Sequence, residues 1–236
     1  MEHVSKAQIK LVRSLQHKKY RDELGLFVAE GDKCINELRK AFELVHLFRE
    51  GENATSAEIE QMSSLRTPQG TIAVFKKPSE VSIQCSDLVL ALDGIQDPGN
   101  LGTIIRTCDW FGVKQIVCSP DTADCYNPKV VQATVGALAR VNVIYTDLHA
   151  FLANKPCVFG TLLDGKNMYE ILQSSIDQSS IIVMGNEGNG ISPEVRKYIT
   201  HPIRIPSYPV GVETSESLNV AIATAVVLAE FRRVSD

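Results

Sequence analysis

The sequence predicts an α/β protein with a large C-terminal region built on a mostly parallel sheet. A smaller N-terminal α/β region precedes it. Three observations predict this. From residue 88 to the end, short apolar runs alternate with helical stretches at regular spacing. The run Leu88-Val89-Leu90-Ala91-Leu92 is apolar without interruption, as expected of a strand buried on both faces. Three of the strands are followed by loops rich in Gly, Asn and Pro, at the strand ends where such sheets bind ligands.

Residues 1–78 mix a basic start with short strand and helix signals and are assigned to an N-terminal domain. The polar stretch Lys76-Lys77-Pro78-Ser79-Glu80 leads into a linker at 79–86, and the second domain spans 87–236. After the strand at 88–92 comes a helix from about 101 to Gly112. Asn100 is placed at its N-cap, and Leu101, Ile104, Ile105, Cys108 and Phe111 share one face. At about 100° per residue, Arg106 points away from that face. Next come a strand at 116–118, a helix from Pro128 to about Ala139, a strand at 141–145 and a helix near 147–154. A strand at 157–163, a short helix, a strand at 181–184 and a helix from Pro193 follow. The chain ends with a short strand at 203–205 and an apolar helix from about Ser217.

A chain of 236 residues suits one large or two small domains. With 44% hydrophobic and 22% charged residues it is neither disordered nor collagen-like nor a membrane bundle. The longest apolar stretch falls well short of the ~20 residues that span a bilayer, and the first ten residues carry no secretory or transit signal. A cytoplasmic location is therefore expected. The six cysteines show neither C-x-x-C spacing nor a histidine at zinc-ligand spacing, which predicts reduced thiols and no metal. The net charge of −4 gives no global nucleic-acid signature, so any such site must be local. One local patch exists. Lys6, Lys10, Arg13, Lys18, Lys19 and Arg21 precede Asp22, with Glu2 the only earlier acid. That concentration reads either as a phosphate-binding footprint or as a solvated helix face.

The three loops are Asp93-Gly94-Ile95-Gln96-Asp97-Pro98-Gly99-Asn100-Leu101-Gly102, then Met184-Gly185-Asn186-Glu187-Gly188-Asn189-Gly190-Ile191-Ser192, and Ile205-Pro206-Ser207 running on to Ser217-Leu218-Asn219. Each alone reads as turn chemistry. Three in one half of a sheet point to a ligand site. Arg106 is either a solvated helix arginine or a cation for phosphate or carboxylate near a helix start. Other motifs fail. Gly160-x-x-x-x-Gly165-Lys166 lacks the Ser or Thr that holds magnesium in a phosphate loop, since Asn167 follows. No G-x-G-x-x-G follows the strand at 88–92, and no G-x-S-x-G elbow is present.

In order and content the loops resemble the three motifs of the SpoU/TrmH family of RNA ribose 2′-O-methyltransferases, within the SPOUT superfamily. Asn100-x-Gly102-x-x-x-Arg106 is similar to the first, Gly185-Asn186-Glu187-Gly188 to the second, and Ile205-Pro206 with Glu216-Ser217-Leu218-Asn219 to the third. The longer, Pro-containing stretch 207–214 departs from the family pattern. Residues 9–33, with Lys18-Lys19-x-Arg21 and Phe27-x-x-Glu30-Gly31-x-Lys33, resemble the family's ribosomal-protein-like substrate-binding domain.

The resemblance implies a trefoil-knotted sheet and a homodimer with sites near the subunit interface. It implies S-adenosylmethionine held through backbone groups at Gly185, Ile205 and Leu218, with Gly185 leaving room for the adenine. Asn100, Arg106, Glu187, Ser217 and Asn219 match the family's active-site positions. Asn100 and Glu187 would position Arg106, while Ser217 and Asn219 shape the pocket. The substrate class is RNA, ribosomal RNA ahead of transfer RNA, bound through the basic N-terminal residues. The alternatives are a tRNA 2′-O-methyltransferase, a non-catalytic RNA-binding protein on the same fold, and a nucleotide hydrolase built on Gly165-Lys166.

Overall fold

The computed structural model describes residues 4–79, 82–83, 87–175, 180–209, 212 and 215–235. Most of the expected linker and part of the 207–214 stretch therefore lie outside the described residues. The chain forms two compact units, one of residues 1–81 with 124–140 and one of 82–123 with 141–236.

The first unit begins with α1 (Lys6–Ser14), closed at its start by a reciprocal pair between Ser5 and Gln8. Then come α2 (Lys18–Leu24), β1 (Leu26–Glu30), α3 (Asp32–Leu38), β2 (Leu44–Arg49), α4 (Ser56–Met62) and β3 (Thr71–Lys76). The strands form an antiparallel sheet in the order β1-β3-β2. One face buries Val28, Phe48, Ile72 and Val74 against Val12, Ile59 and Met62 of the helices and Leu15 just after α1. Segment 124–140 also belongs to this unit, although sequence reading placed it in the second domain. Its Asp124 takes two bonds from buried Arg21, at 2.9 Å from Nε and 2.6 Å from Nη2. Tyr126 packs on Phe27 with ring centroids 4.8 Å apart.

The second unit carries β4 (Val89–Asp93), α5 (Pro98–Trp110) and β5 (Gln115–Cys118). The chain then visits the first unit, where α6 (Pro128–Thr134) ends five residues before the expected limit. Val135 takes φ 51° and Gly136 φ 92° because the Gly136 Cα packs against Glu37, leaving no space for a Cβ. After this turn only a 3₁₀ turn, Ala137–Ala139, remains. Back in the second unit come β6 (Asn142–Tyr145), α7 (Leu148–Leu152), β7 (Val158–Asn167), α8 (Met168–Ser175), β8 (Ile181–Gly185), α9 (Pro193–Arg196), β9 (His201–Arg204) and α10 (Val220–Ser235).

Its six strands lie in the order β6-β5-β4-β8-β7-β9, and every pairing is parallel. Val89, Ala91, Val117, Val158, Ile181 and Val183 pack with Leu148, Phe151 and Leu152 of α7. Phe159 meets Phe231 of α10 edge to face at 4.9 Å. The five described cysteines are buried thiols outside any disulfide. Burial pushes the Cys34 thiol up to about 11 and raises that of Cys108 further, so neither is a ready nucleophile.

Candidate active site

The ends of β4 and β8 lie side by side, with Asp93 opposite Gly185. The first and second loops therefore leave the sheet together, and hydrogen bonds tie them. The Asp93 carboxylate accepts from the Ser192 N–H at 2.7 Å, and the Asn186 side chain donates to the Gly94 carbonyl at 2.6 Å. The Asn186 side-chain oxygen also accepts the N–H groups of Gly188 and Asn189, at 2.9 and 3.1 Å. Asn186 and Gly190 exchange two backbone bonds of 2.9 Å, closing the second loop as a tight turn. In that turn the position of a Gly185 Cβ would be 2.2 Å from the backbone of Gly190 and Ile191. The turn itself therefore requires a residue without a side chain at Gly185.

The start of α5 differs from expectation in a way that matters. Asp97, not Asn100, is the N-cap. Its carboxylate accepts the Asn100 N–H at 2.8 Å, and Pro98 takes a position in the first turn. The Asn100 side chain is thereby released. It donates to Glu187 Oε1 at 2.9 Å, and its Oδ1 accepts from Asn219 Nδ2 at 2.9 Å. Asn219 is itself held at the start of α10, where its Oδ1 accepts the N–H groups of Ala221 and Ile222. One side chain from each of the three loops is thus joined through Asn100.

The remaining expected residues stand apart from this chain of bonds. Arg106 is exposed and makes no hydrogen bond or ion pair among the described residues. It makes no bond to Asn100 or Glu187, the two residues expected to position it. It lies six positions on from Asn100, roughly 240° around the helix, so it shares an outward stripe with Thr103 and Trp110. Ser217 is exposed, Ile205 is half-buried and Leu218 is 53% exposed. Among the described residues no group of three or more His, Cys, Asp and Glu is placed to hold a metal ion. No described helix is long and apolar enough to cross a membrane.

Of the basic N-terminal residues, Lys6, Lys10, Arg13, Lys18 and Lys19 are exposed, although Lys18 pairs with Asp22 at 2.5 Å. Arg21 leaves the set. It is 1% exposed and is consumed by Asp124 and by the carbonyls of Leu15 and Gln16. Sequence reasoning missed Asn186 and Asp93 as the ties between loops. Both lay within quoted motifs, but their partners, Gly94 and Ser192, are about a hundred residues away in the chain.

Residues 87–229 match the SpoU rRNA Methylase family, and residues 6–57 match the MRM3-like substrate binding domain. The chain is 28% identical, over an alignment of 251 residues covering 98% of each protein, to the 23S rRNA (guanosine(2553)-2′-O)-methyltransferase RlmP of Bacillus subtilis. A TrmH-family structure from Porphyromonas gingivalis superposes with a TM-score of 0.87 at 38% identity over 98% of each chain. The S-adenosylmethionine-bound rRNA methyltransferase of Sinorhizobium meliloti superposes at 0.83, with 29% identity over 98% of this chain and 97% of that one.

Proposed function

Because the chain belongs to the SpoU rRNA methylase family, we propose that it transfers a methyl group from S-adenosylmethionine to a ribose 2′-hydroxyl of ribosomal RNA. The observation that carries this reading is the joining of Glu187, Asn100 and Asn219, one from each motif loop, at the carboxyl end of the sheet. The full-length likeness to a 23S rRNA enzyme favours ribosomal over transfer RNA.

The residues present fit the cofactor. At Gly185 the turn presents peptide edges and no side chain, while exposed Leu218 and half-buried Ile205 add apolar surface from the third loop. Backbone groups there suit a planar base, and the apolar pair suits its faces. When bound, the cofactor supplies an activated methyl group. The protein's part is positioning. Glu187 and Asn219 fix the Asn100 amide, and Ser217 lines the same loop. Arg106, always charged and without a protein partner among the described residues, is the clamp for the phosphate beside the target ribose and polarises its hydroxyl.

Lys6, Lys10, Arg13, Lys18 and Lys19 bind the RNA by phosphate contact. A homodimer, a trefoil-knotted path through the loops and a cytoplasmic location complete the proposal. The dimer is supported by an unbroken outward apolar stripe on α10, through Ile222, Ala225, Val226 and Ala229, and by Trp110, 85% exposed on α5.

The test is twofold. Purified protein with labelled S-adenosylmethionine should methylate ribosomal RNA, and 2′-O-methyl mapping should show one site lost in cells without the protein. A lost site in tRNA would overturn the substrate assignment. Cofactor binding without any methyl transfer would favour the non-catalytic reading.

A further inference from the structure

The geometry points to Ser119, outside all three motif loops, as a positioning residue for the transfer reaction, acting through the Gly94 peptide. This rests on the function proposed above. Ser119 follows β5 and is buried. Its Oγ donates to Asp121 Oδ1 at 2.5 Å and accepts the Gly94 N–H at 2.8 Å. Thr122 stands behind it, with Oγ1 3.1 Å away and a further bond to the Leu92 carbonyl. The Ser119 N–H also donates to the Leu92 carbonyl, at 2.9 Å. A serine hydroxyl has one proton. Its donation to a carboxylate leaves lone pairs for Gly94 and makes them better acceptors.

Gly94 needs this hold. It takes φ 71° as the chain leaves β4, and its other face receives the Asn186 amide. The two peptide groups that flank Gly94 are therefore both clamped, by Ser119 at its N–H and by Asn186 at its carbonyl. Asn186 simultaneously accepts the N–H groups of Gly188 and Asn189, the residues that follow Glu187. The chain of bonds runs from Asp121 through Ser119, Gly94 and Asn186 to the turn that aims Glu187 at Asn100. Without the Ser119 hydroxyl, the Gly94 N–H is left at a buried position with no acceptor and the turn loses one side of its clamp. The consequence falls on the direction of Glu187, not on the sheet below.

The experiment uses the full-length chain and compares Ser119→Ala, Asn186→Ala, the double variant, Asp121→Asn and Ser180→Ala. Ser180 is a control, a fully buried hydroxyl at the opposite end of the sheet, 3.3 Å from Cys157 Sγ. Ser119→Ala should lower kcat about tenfold or more, the range for a bond with a charged partner in its chain. The cofactor Kd by calorimetry and the KM for RNA should stay within about twofold. Asp121→Asn keeps an acceptor at an exposed position and should lose kcat less than Ser119→Ala. The double variant should be about as slow as the slower single one, because both substitutions release the same residue, Gly94. Ser180→Ala should lower thermal stability but keep the wild-type kcat.

Wild-type kcat in Ser119→Ala, or multiplied losses in the double variant, would overturn the role. So would a kcat loss in Ser180→Ala equal to that in Ser119→Ala. If Ser119→Ala does not fold, a wild-type kcat in Asp121→Asn overturns the role and a reduced one supports it. A wild-type chain that methylates no RNA would fail the functional reading and this role with it.

Discussion

Replacing Asn100 by alanine removes the one side chain that touches both other loops. Two bonds are lost, the donation to Glu187 and the acceptance from Asn219, each 2.9 Å long. A bond to a carboxylate contributes about 2 kcal/mol and one between amides about 1 kcal/mol where water cannot replace them. If both serve to hold the reacting geometry, about 3 kcal/mol is lost from the transition state, or roughly 10²-fold in kcat. Stability should change far less. Glu187 and Asn219 are exposed, so water takes up their free valences in the ground state. A cost near 1 kcal/mol corresponds to a Tm shift of about 2–4 °C in a chain of this size.

Asn100→Asp sharpens the test. It keeps an oxygen for Asn219 but sets a second carboxylate against Glu187. Two carboxylates so close repel each other, and protonating either relieves the repulsion. Acidification then restores a proton between them, so Asn100→Asp should gain rate relative to Asn100→Ala as pH falls toward the carboxylate range. Initial rates of methyl incorporation from labelled cofactor, with melting curves alongside, measure both effects. An Asn100→Ala variant within threefold of wild type would refute the reasoning, because the joined loops would then have no bearing on transfer.

Four further outcomes are expected. Arg106→Ala should keep the fold and cofactor binding, since the side chain has no protein partner among the described residues, and should lose at least ~10²-fold in rate; single-turnover kinetics would show it. The combined variant Lys6→Ala/Lys10→Ala/Arg13→Ala should weaken RNA binding and flatten its dependence on log salt by about 2 to 3, at roughly 0.7–0.9 per phosphate contact. Arg21→Ala should instead destabilise the protein by about 3–5 kcal/mol in denaturant unfolding, because it strands Asp124 without its partner. Glu230 is held below the usual carboxylate range by its bonds to Arg233. Its stabilising effect is present above the ordinary unfolded value and fades as pH falls through the depressed one. Thermal melts of Glu230→Gln should therefore lie below wild type at neutral pH and converge with it in acid.

Much of the second unit could be read directly from the chain. Strand β4 announces itself through Leu88-Val89-Leu90-Ala91-Leu92, where burial on both faces erases alternation. The face of α5 through Leu101, Ile104, Ile105 and Cys108 was equally plain, and these residues are buried. What could not be read were features set by distant partners. Asp97 and Asn100 are both good caps, and only Pro98 in the first turn decides between them. Arg21 looks like its basic neighbours, yet its partner Asp124 lies 103 residues away, so no local pattern marks it as buried. The α6 pattern continues past Thr134, but the packing of Gly136 on Glu37 ends the helix. At the site, the motif residues were visible and their wiring was not. The order Glu187–Asn100–Asn219 exists only once three loops meet.

The first unit is discontinuous, and this has a consequence for synthesis. As the chain leaves the ribosome, the strands through β3 emerge long before Asp124 and Tyr126, whose contacts fill the space beside Arg21 and Phe27. Until then a guanidinium destined for the interior lacks its counter-ion. The first unit therefore cannot be completed until 124–140 has emerged, and a fragment cut near residue 78 would carry that unmet charge permanently. Grafting 124–140 onto such a fragment through a short linker would be the way to obtain it as a stable piece.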